Sequence, residues 1–271
     1  MGADTKQLRI RIKSVDSSLH LTKAMGLVAS SKIRRANEEM RKTRQYLDAL
    51  ESMVRDLTLS PECAKSPYLR TGESEIDSSR TKLIVIAGDR GLAGGYNANI
   101  FRLLREYGKC EVIPLGKRIC DKTSSEFVSS ETFSYSDARK LAVDLCGQFV
   151  NGDYDRLGIV CTRYVNMMTQ VAEVRWILPL TKDENARRTG MIFEPDELTV
   201  LMAAVPEFVT GAITEAVRES FASEVAARRM AMDSAEKNAQ AMIEDLELQY
   251  NRARQGAITQ EITEIVAGSG R

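Results

Sequence analysis

The spacing of apolar residues over the first 57 positions constrains this chain more than any other feature. Apolar or small residues recur at alternating steps of four and three: Leu8, Ile12, Val15, Leu19, Thr22, Gly26, Ala29, Ile33, Ala36, Met40, Thr43, Leu47, Leu50, Val54 and Leu57. A period near 3.5 residues is a coiled-coil seam, because a straight helix drifts by about 20° per heptad from such a stripe. At 1.5 Å per residue the helix would run about 75 Å, too long for one stripe to be buried on the compact core of its own chain. A second long helix is therefore required.

Residues 207–267 supply it. No proline follows Pro206, and Ala, Met, Glu, Gln and Arg, which enter helices at small cost, are abundant. The apolar pattern is looser: Ile213, Val217, Phe221 and Val225, then Ala231, Ala235, Met242, Leu246 and Ala253, then Ile258, Ile262, Ile265 and Val266. Charge favours pairing of the two ends. Residues 1–60 carry 12 Lys and Arg against 7 Asp and Glu, whereas residues 207–271 carry 7 against 11. We expect the terminal helices to pair antiparallel, with a compact domain spliced between them.

Composition closes off several functions. A formal net charge of zero gives the whole chain no nucleic-acid signature, and leaves the basic N-terminal helix, with its cluster from Lys32 to Arg44, as the candidate patch. The densest apolar run, Val200 to Val205, is six residues, so no membrane span is expected, and the charged N-terminus lacks the apolar core of a secretory signal. Five cysteines (Cys63, Cys110, Cys120, Cys146, Cys161) without C-x-x-C spacing read as reduced, buried small hydrophobes. His20 is the sole histidine, which removes histidine zinc sites and Ser-His-Asp triads.

Along the chain, Asp4 or Thr5 caps the first helix and Pro61 ends it. The expected organisation is an N-terminal helix at 1–60, a linker at 61–80, an α/β domain at 81–195 and a C-terminal helix at 196–271. Within the α/β domain, Lys82 to Ala87 is a strand buried on both faces, followed by a glycine-rich turn and a helix from about Asn97 to Tyr107. Strands are expected at Glu111–Leu115, Phe127–Phe133, Arg156–Tyr164 and Gln170–Leu178, and helices at Lys117–Ser124 and Ser136–Val150, the latter capped by Ser136 or Asp137. Strands alternating with helices imply an open, mainly parallel α/β sheet, and residues 181–196, bounded by Pro179 and Pro195, read as a loop.

The strand, glycine turn and helix at Lys82 to Asn97 invite a nucleotide-binding reading, since helix N-termini accept phosphate. The spacing is Gly88-x-x-Gly91-x-x-Gly94-Gly95, however, which is neither G-x-G-x-x-G nor a P-loop, and Asp89 puts a carboxylate where phosphate would lie. Paired carboxylates such as Glu38 with Glu39 and Glu244 with Asp245 diverge by about 100° on a helix and cannot flank one substrate. At this level a nucleotide-binding α/β protein with coiled-coil arms and a coiled-coil adaptor both remain open.

Three stretches, in order, resemble one family across nearly the whole chain. They are Ile12 to Arg35, with Leu21-Thr22-Lys23-Ala24-Met25 and Ala29-Ser30-Ser31-Lys32; Asp89-Arg90-Gly91-Leu92-Ala93-Gly94-Gly95-Tyr96-Asn97; and Tyr250-Asn251-Arg252-Ala253-Arg254-Gln255-Gly256-Ala257 running on to Val266. The chain is similar to the gamma subunit of the bacterial F-type ATP synthase. Ala93 stands where the family often has Cys, Gly88 where it has Ser or Thr, Ser269 where Ala is usual, and Gly256 where Ala is typical.

The resemblance implies a central rotor shaft built from the terminal helices, with the α/β domain as a membrane-proximal foot. It implies as partners the alpha and beta subunits of the F1 hexamer, the epsilon subunit and the membrane c ring, on the cytoplasmic side of the cell membrane. It implies no catalytic residue, cofactor or metal in the chain itself: ion flow turns the ring and the shaft, and the shaft drives ATP synthesis in the catalytic subunits. By the same resemblance, Lys23 and Met25 face a catalytic subunit's acidic loop, and Arg254 and Gln255 contact catalytic-subunit loops that grip the upper shaft.

Overall fold

A computed structural model describes residues 3–69, 80–182 and 187–269. It divides into two compact units, one of Met1–Ser30 with Arg228–Arg271 and one of Ser31–Ala227. Two long helices, α1 (Ala3–Thr58) and α5 (Glu197–Ser269), contribute to both.

In the first unit the two helices run antiparallel. A side chain at Gly26 would meet Arg229 and Met232, whereas Arg9 and Ile12 line a shallow groove with Glu247, Tyr250 and Asn251. From Leu8 to Leu57, every seam position of α1 named from the sequence is buried or half-buried. The α5 seam is more regular than its sequence pattern. Met232, Ala235, Ala239, Ile243, Leu246, Tyr250, Ala253 and Ala257 are buried or half-buried, again in steps of three and four. Ala231 is half-buried beside the buried Met232, and Met242, an expected seam residue, is 46% exposed. The seam was hard to read because much of it is alanine, which carries little apolar contrast.

The second unit holds the sheet, in order β2-β1-β3-β4. β1 (Thr81–Ile86) pairs parallel with β2 (Glu111–Leu115) and with β3 (Arg156–Tyr164), and β4 (Gln170–Leu178) is antiparallel to β3. Three of these strands carry runs of Val, Ile and Leu because both faces are covered. Ile84, Ile86, Leu157 and Ile159 join a core with α4 (Tyr135–Asn151), the end of α1 (Val54, Leu57) and the start of α5 (Leu201 to Val217). Leu83, Val85 and Val160 point the other way, onto α2 (Tyr96–Glu106) and Ile119 of α3 (Lys117–Thr123). Pro114 is tolerated because β2 is an edge strand. α5 contains a window apolar enough in composition to cross a membrane, but 61% of that window is buried inside the protein.

Some boundaries differ from the sequence reading. Phe127–Phe133 forms no strand, because its backbone donors at Ser130 and Glu131 are given to Asp89 instead of to a ladder. The cap of α4 is Ser134, which accepts from Asp137 N–H while the Asp137 carboxylate accepts from Ser134 N–H, a reciprocal capping box. α5 starts at Glu197 and runs through Pro206, since burial of Leu201, Val205 and Val209 outweighs the local disruption by proline. Of the expected linker, residues 61–69 form two 3₁₀ turns that bury Cys63, Tyr68 and Leu69, and residues 70–79 lie outside the described residues. Of the loop expected at 181–196, residues 183–186 lie outside them too.

Candidate functional site

The glycine turn after β1 is built around a carboxylate. Asp89 Oδ1 accepts the backbone N–H groups of Lys117 (3.0 Å) and Ser130 (3.1 Å), and Oδ2 accepts Ser129 Oγ (2.6 Å) and Glu131 N–H (3.1 Å). Burial works to raise this carboxyl, but the bonds from Ser129, Glu131, Lys117 and Ser130 hold it below the usual carboxylate range. Asn97 Oδ1 takes the Gly88 N–H at 2.9 Å. A side chain on Gly88 would lie 2.8 Å from the Glu224 carboxyl carbon, and Glu224 is buried. The donors around Asp89 and at Gly88 are thus already engaged, and two carboxylates line the turn. This geometry opposes phosphate binding.

From that turn a charge relay reaches α1. Glu131 Oε1 lies 2.5 Å from Lys32 Nζ, and Glu131 Oε2 lies 3.3 Å from Arg90. Farther along, Arg175 on β4 donates to Glu215 (2.6 Å) and Glu219 of α5 and to Glu173 (2.8 Å), while Arg44 of α1 lies 3.6 Å from Glu215. Burial alone would lower the Arg175 pKa, but the Cys161 sulfur and the Glu215 and Glu219 carboxylates raise it, so the guanidinium stays charged. Burial also pushes the Cys146 and Cys161 thiols up to about 12, which makes them inert. Among the described residues, no group of three or more His, Cys, Asp or Glu side chains is arranged to hold a metal ion.

The contact residues read from the sequence all lie in the two-helix unit. Lys23 is exposed and Met25 half-buried on α1; Arg254 and Gln255 are exposed on α5. They occupy two levels. Lys23 and Met25 precede Gly26, which faces Arg229 and Met232, whereas Arg254 and Gln255 follow Tyr250 and Asn251, which face Arg9 and Ile12.

Beyond Ala257, the described residues of α5 up to 268 are exposed. Ile258, Ile262, Ile265 and Val266 are 46%, 56%, 70% and 65% exposed, although their spacing had placed them in the intrachain seam. They form an apolar stripe along the helix end, at steps of four, three and one.

A family model described as ATP synthase matches residues 4–270. The chain is 36% identical to the ATP synthase gamma chain of Ruminococcus albus and 34% identical to that of Mycoplasma mobile, in both cases over 98% of each chain. This chain belongs to the ATP synthase gamma chain family. Among solved structures, its fold is similar to a chain of the Euglena gracilis mitochondrial ATP synthase OSCP/F1/c-ring assembly in rotational state 3, with a TM-score of 0.70, 18% identity and coverage of 99% of this chain and 94% of that one. A chain of the rotor of the same organism's enzyme gives a TM-score of 0.63 at 19% identity, covering 95% of this chain and 100% of that one. A chain of the Tetrahymena thermophila central stalk and c-ring gives 0.61 at 20% identity, covering 79% and 99%. For a gamma chain, terminal helices paired by a seam and a four-stranded sheet unit are the parts of a mechanical subunit. The glycine turn is thus a structural feature of the gamma chain fold.

Proposed function

We infer that this chain is the central rotor shaft of an F-type ATP synthase. It is a non-catalytic subunit that couples ion flow through a membrane c ring to ATP synthesis in the alpha and beta subunits of the F1 hexamer. It works as part of a complex peripheral to the membrane, on the cytoplasmic side, with the epsilon subunit beside the α/β foot. The observation that carries this reading is the exposed apolar end of α5. An apolar helix end left in water is costly, and an apolar bearing formed by surrounding subunits would cover it without directional bonds that resist turning. Below the bearing, Lys23 and Met25 meet one catalytic subunit and Arg254 and Gln255 meet loops of others, so that each catalytic subunit faces a different side of an asymmetric rod. Arg254 suits the role because its planar fork binds carboxylates in pairs.

The test is co-expression of the chain with its partner subunits and purification of the membrane complex. Ile262→Asp with Ile265→Asp should leave the isolated chain folded, because neither side chain is covered in it, and should reduce recovery of the hexamer complex and its ATP-driven ion pumping. A variant complex recovered and pumping as the parent does would refute the bearing. Failure of the unaltered chain to join any hexamer would refute the rotor reading itself.

A further inference from the structure

In the sheet unit, α5 is held in two physically different ways. Leu201, Val205, Val209, Ile213 and Val217 pack by shape and apolar burial, which is non-directional. Next to them, from Glu215 to Ser223, the same helix is stitched to two strands by oriented bonds. Arg175 of β4 forks between Glu215 and Glu219, one turn apart on α5, and its Nε holds Glu173. Glu219 also accepts the backbone N–H of Tyr164 at 3.0 Å. Ser220 and Ser223 clasp both sides of one residue of β3: Ser220 Oγ accepts Thr162 N–H at 3.1 Å, and Ser223 Oγ donates to Thr162 O at 3.0 Å. Arg44 extends the cluster to α1.

A buried ion cluster of this kind is a poor device for stability alone, since apolar side chains of similar volume commonly do as well or better. Its distinctive property is direction. Ridges of apolar side chains have neighbouring registers into which a helix can roll, whereas a bidentate guanidinium bond weakens steeply once its angle or distance is lost. We propose that Arg175, with Glu215 and Glu219, is a positioning cluster that locks α5 against rolling on the sheet, so that torque entering the α/β unit passes into α5 without slip. The proposal rests on the rotor reading.

The experiment uses the assembled ATP synthase. Arg175→Lys keeps the charge and removes the fork. Arg175→Met with Glu215→Leu and Glu219→Gln removes the charges of the fork while an amide oxygen on α5 can still accept the Tyr164 N–H. Three quantities are read: the Tm of the isolated chain, the ratio of ions pumped to ATP hydrolysed in vesicles, and the torsional stiffness of the shaft from the rotational fluctuations of a bead on single stalled complexes. The expected result is a triple variant with Tm equal to or above that of the parent, torsional stiffness at least halved and a reduced pumping ratio. Arg175→Lys should fall between parent and triple in stiffness. Parental stiffness in Arg175→Lys, or a triple variant that loses Tm while the surviving complexes stay stiff, would overturn the proposal. If the parent chain neither assembles nor rotates, the rotor reading fails instead, which is a separate outcome.

Discussion

Replacing Asp89 with asparagine is the sharpest test of how the glycine turn is built. The carboxylate takes four hydrogen bonds, two on each oxygen. Asparagine retains one oxygen and puts an NH₂ group in place of the other. If it keeps Lys117 N–H and Ser130 N–H, its NH₂ confronts Glu131 N–H, while the Ser129 hydroxyl can turn to accept. One backbone donor is then left facing a donor, at about 1–3 kcal/mol, and the remaining bonds fall from charge-assisted to neutral strength, about 1 kcal/mol in all. Partial exposure of the turn screens this sum to about 2–3 kcal/mol. The assay is urea unfolding of the full chain followed by circular dichroism, where the midpoint should fall with little change in slope. The pH dependence adds an independent check. A depressed carboxyl contributes stability that is present above its unfolded pKa, near 3.8, and lost as pH falls through the lower native value. The gap between parent and Asp89→Asn should therefore be constant from neutrality down to about pH 5 and close below about pH 4. A difference under about 0.5 kcal/mol at pH 7, or an equal gap at pH 3, would refute the reasoning.

Four further outcomes follow from the geometry. Gly116→Ala should abolish the folded α/β unit, because at φ +103° a Cβ would sit 1.9 Å from the Ala87 carbonyl oxygen; a soluble variant with the parental circular dichroism spectrum would contradict this. Ser134→Ala removes the hydroxyl half of the α4 capping box and should cost about 1 kcal/mol in a thermal or urea melt. Native alkylation at pH 8 followed by peptide mass spectrometry should leave Cys146 and Cys161 unmodified, and rapid labelling of either would show that its burial is wrong. Arg254→Ala should leave the melt of the isolated chain within about 0.5 kcal/mol of the parent while weakening assembly or coupling of the complex; normal assembly and pumping would remove Arg254 from the contact set.

The coiled-coil seam of α1 and four of the strands were legible in the sequence because each depends on a local period. A stripe every 3.5 residues admits one partner geometry, and an unbroken Lys-Leu-Ile-Val-Ile-Ala admits little besides a strand covered on both faces. The family was legible through three ordered stretches, and the contacts at Lys23, Met25, Arg254 and Gln255 are proposed from that resemblance. Periodicity did not reveal how far each stripe was covered. Ile258 to Val266 keep the seam spacing, yet the same pattern that means burial at Leu246 means exposure at Ile265. Nor does the sequence around Asp89 say whether its carboxylate faces an anion or satisfies a turn. That depends on Ser129 to Glu131 arriving some 40 residues later in the chain to donate their hydrogen bonds, and in doing so giving up the strand that their composition favoured. Arg175, Glu215 and Glu219 read as ordinary surface charges until the sheet and α5 bring them together. Local periods set which elements form, because propensity and stripe act within a few residues. Which polar groups meet, and which apolar faces stay open, is fixed only by the long-range packing of those elements, because the Asp89 carboxylate draws its partners from Lys117 and from Ser129 to Glu131, two segments distant in sequence.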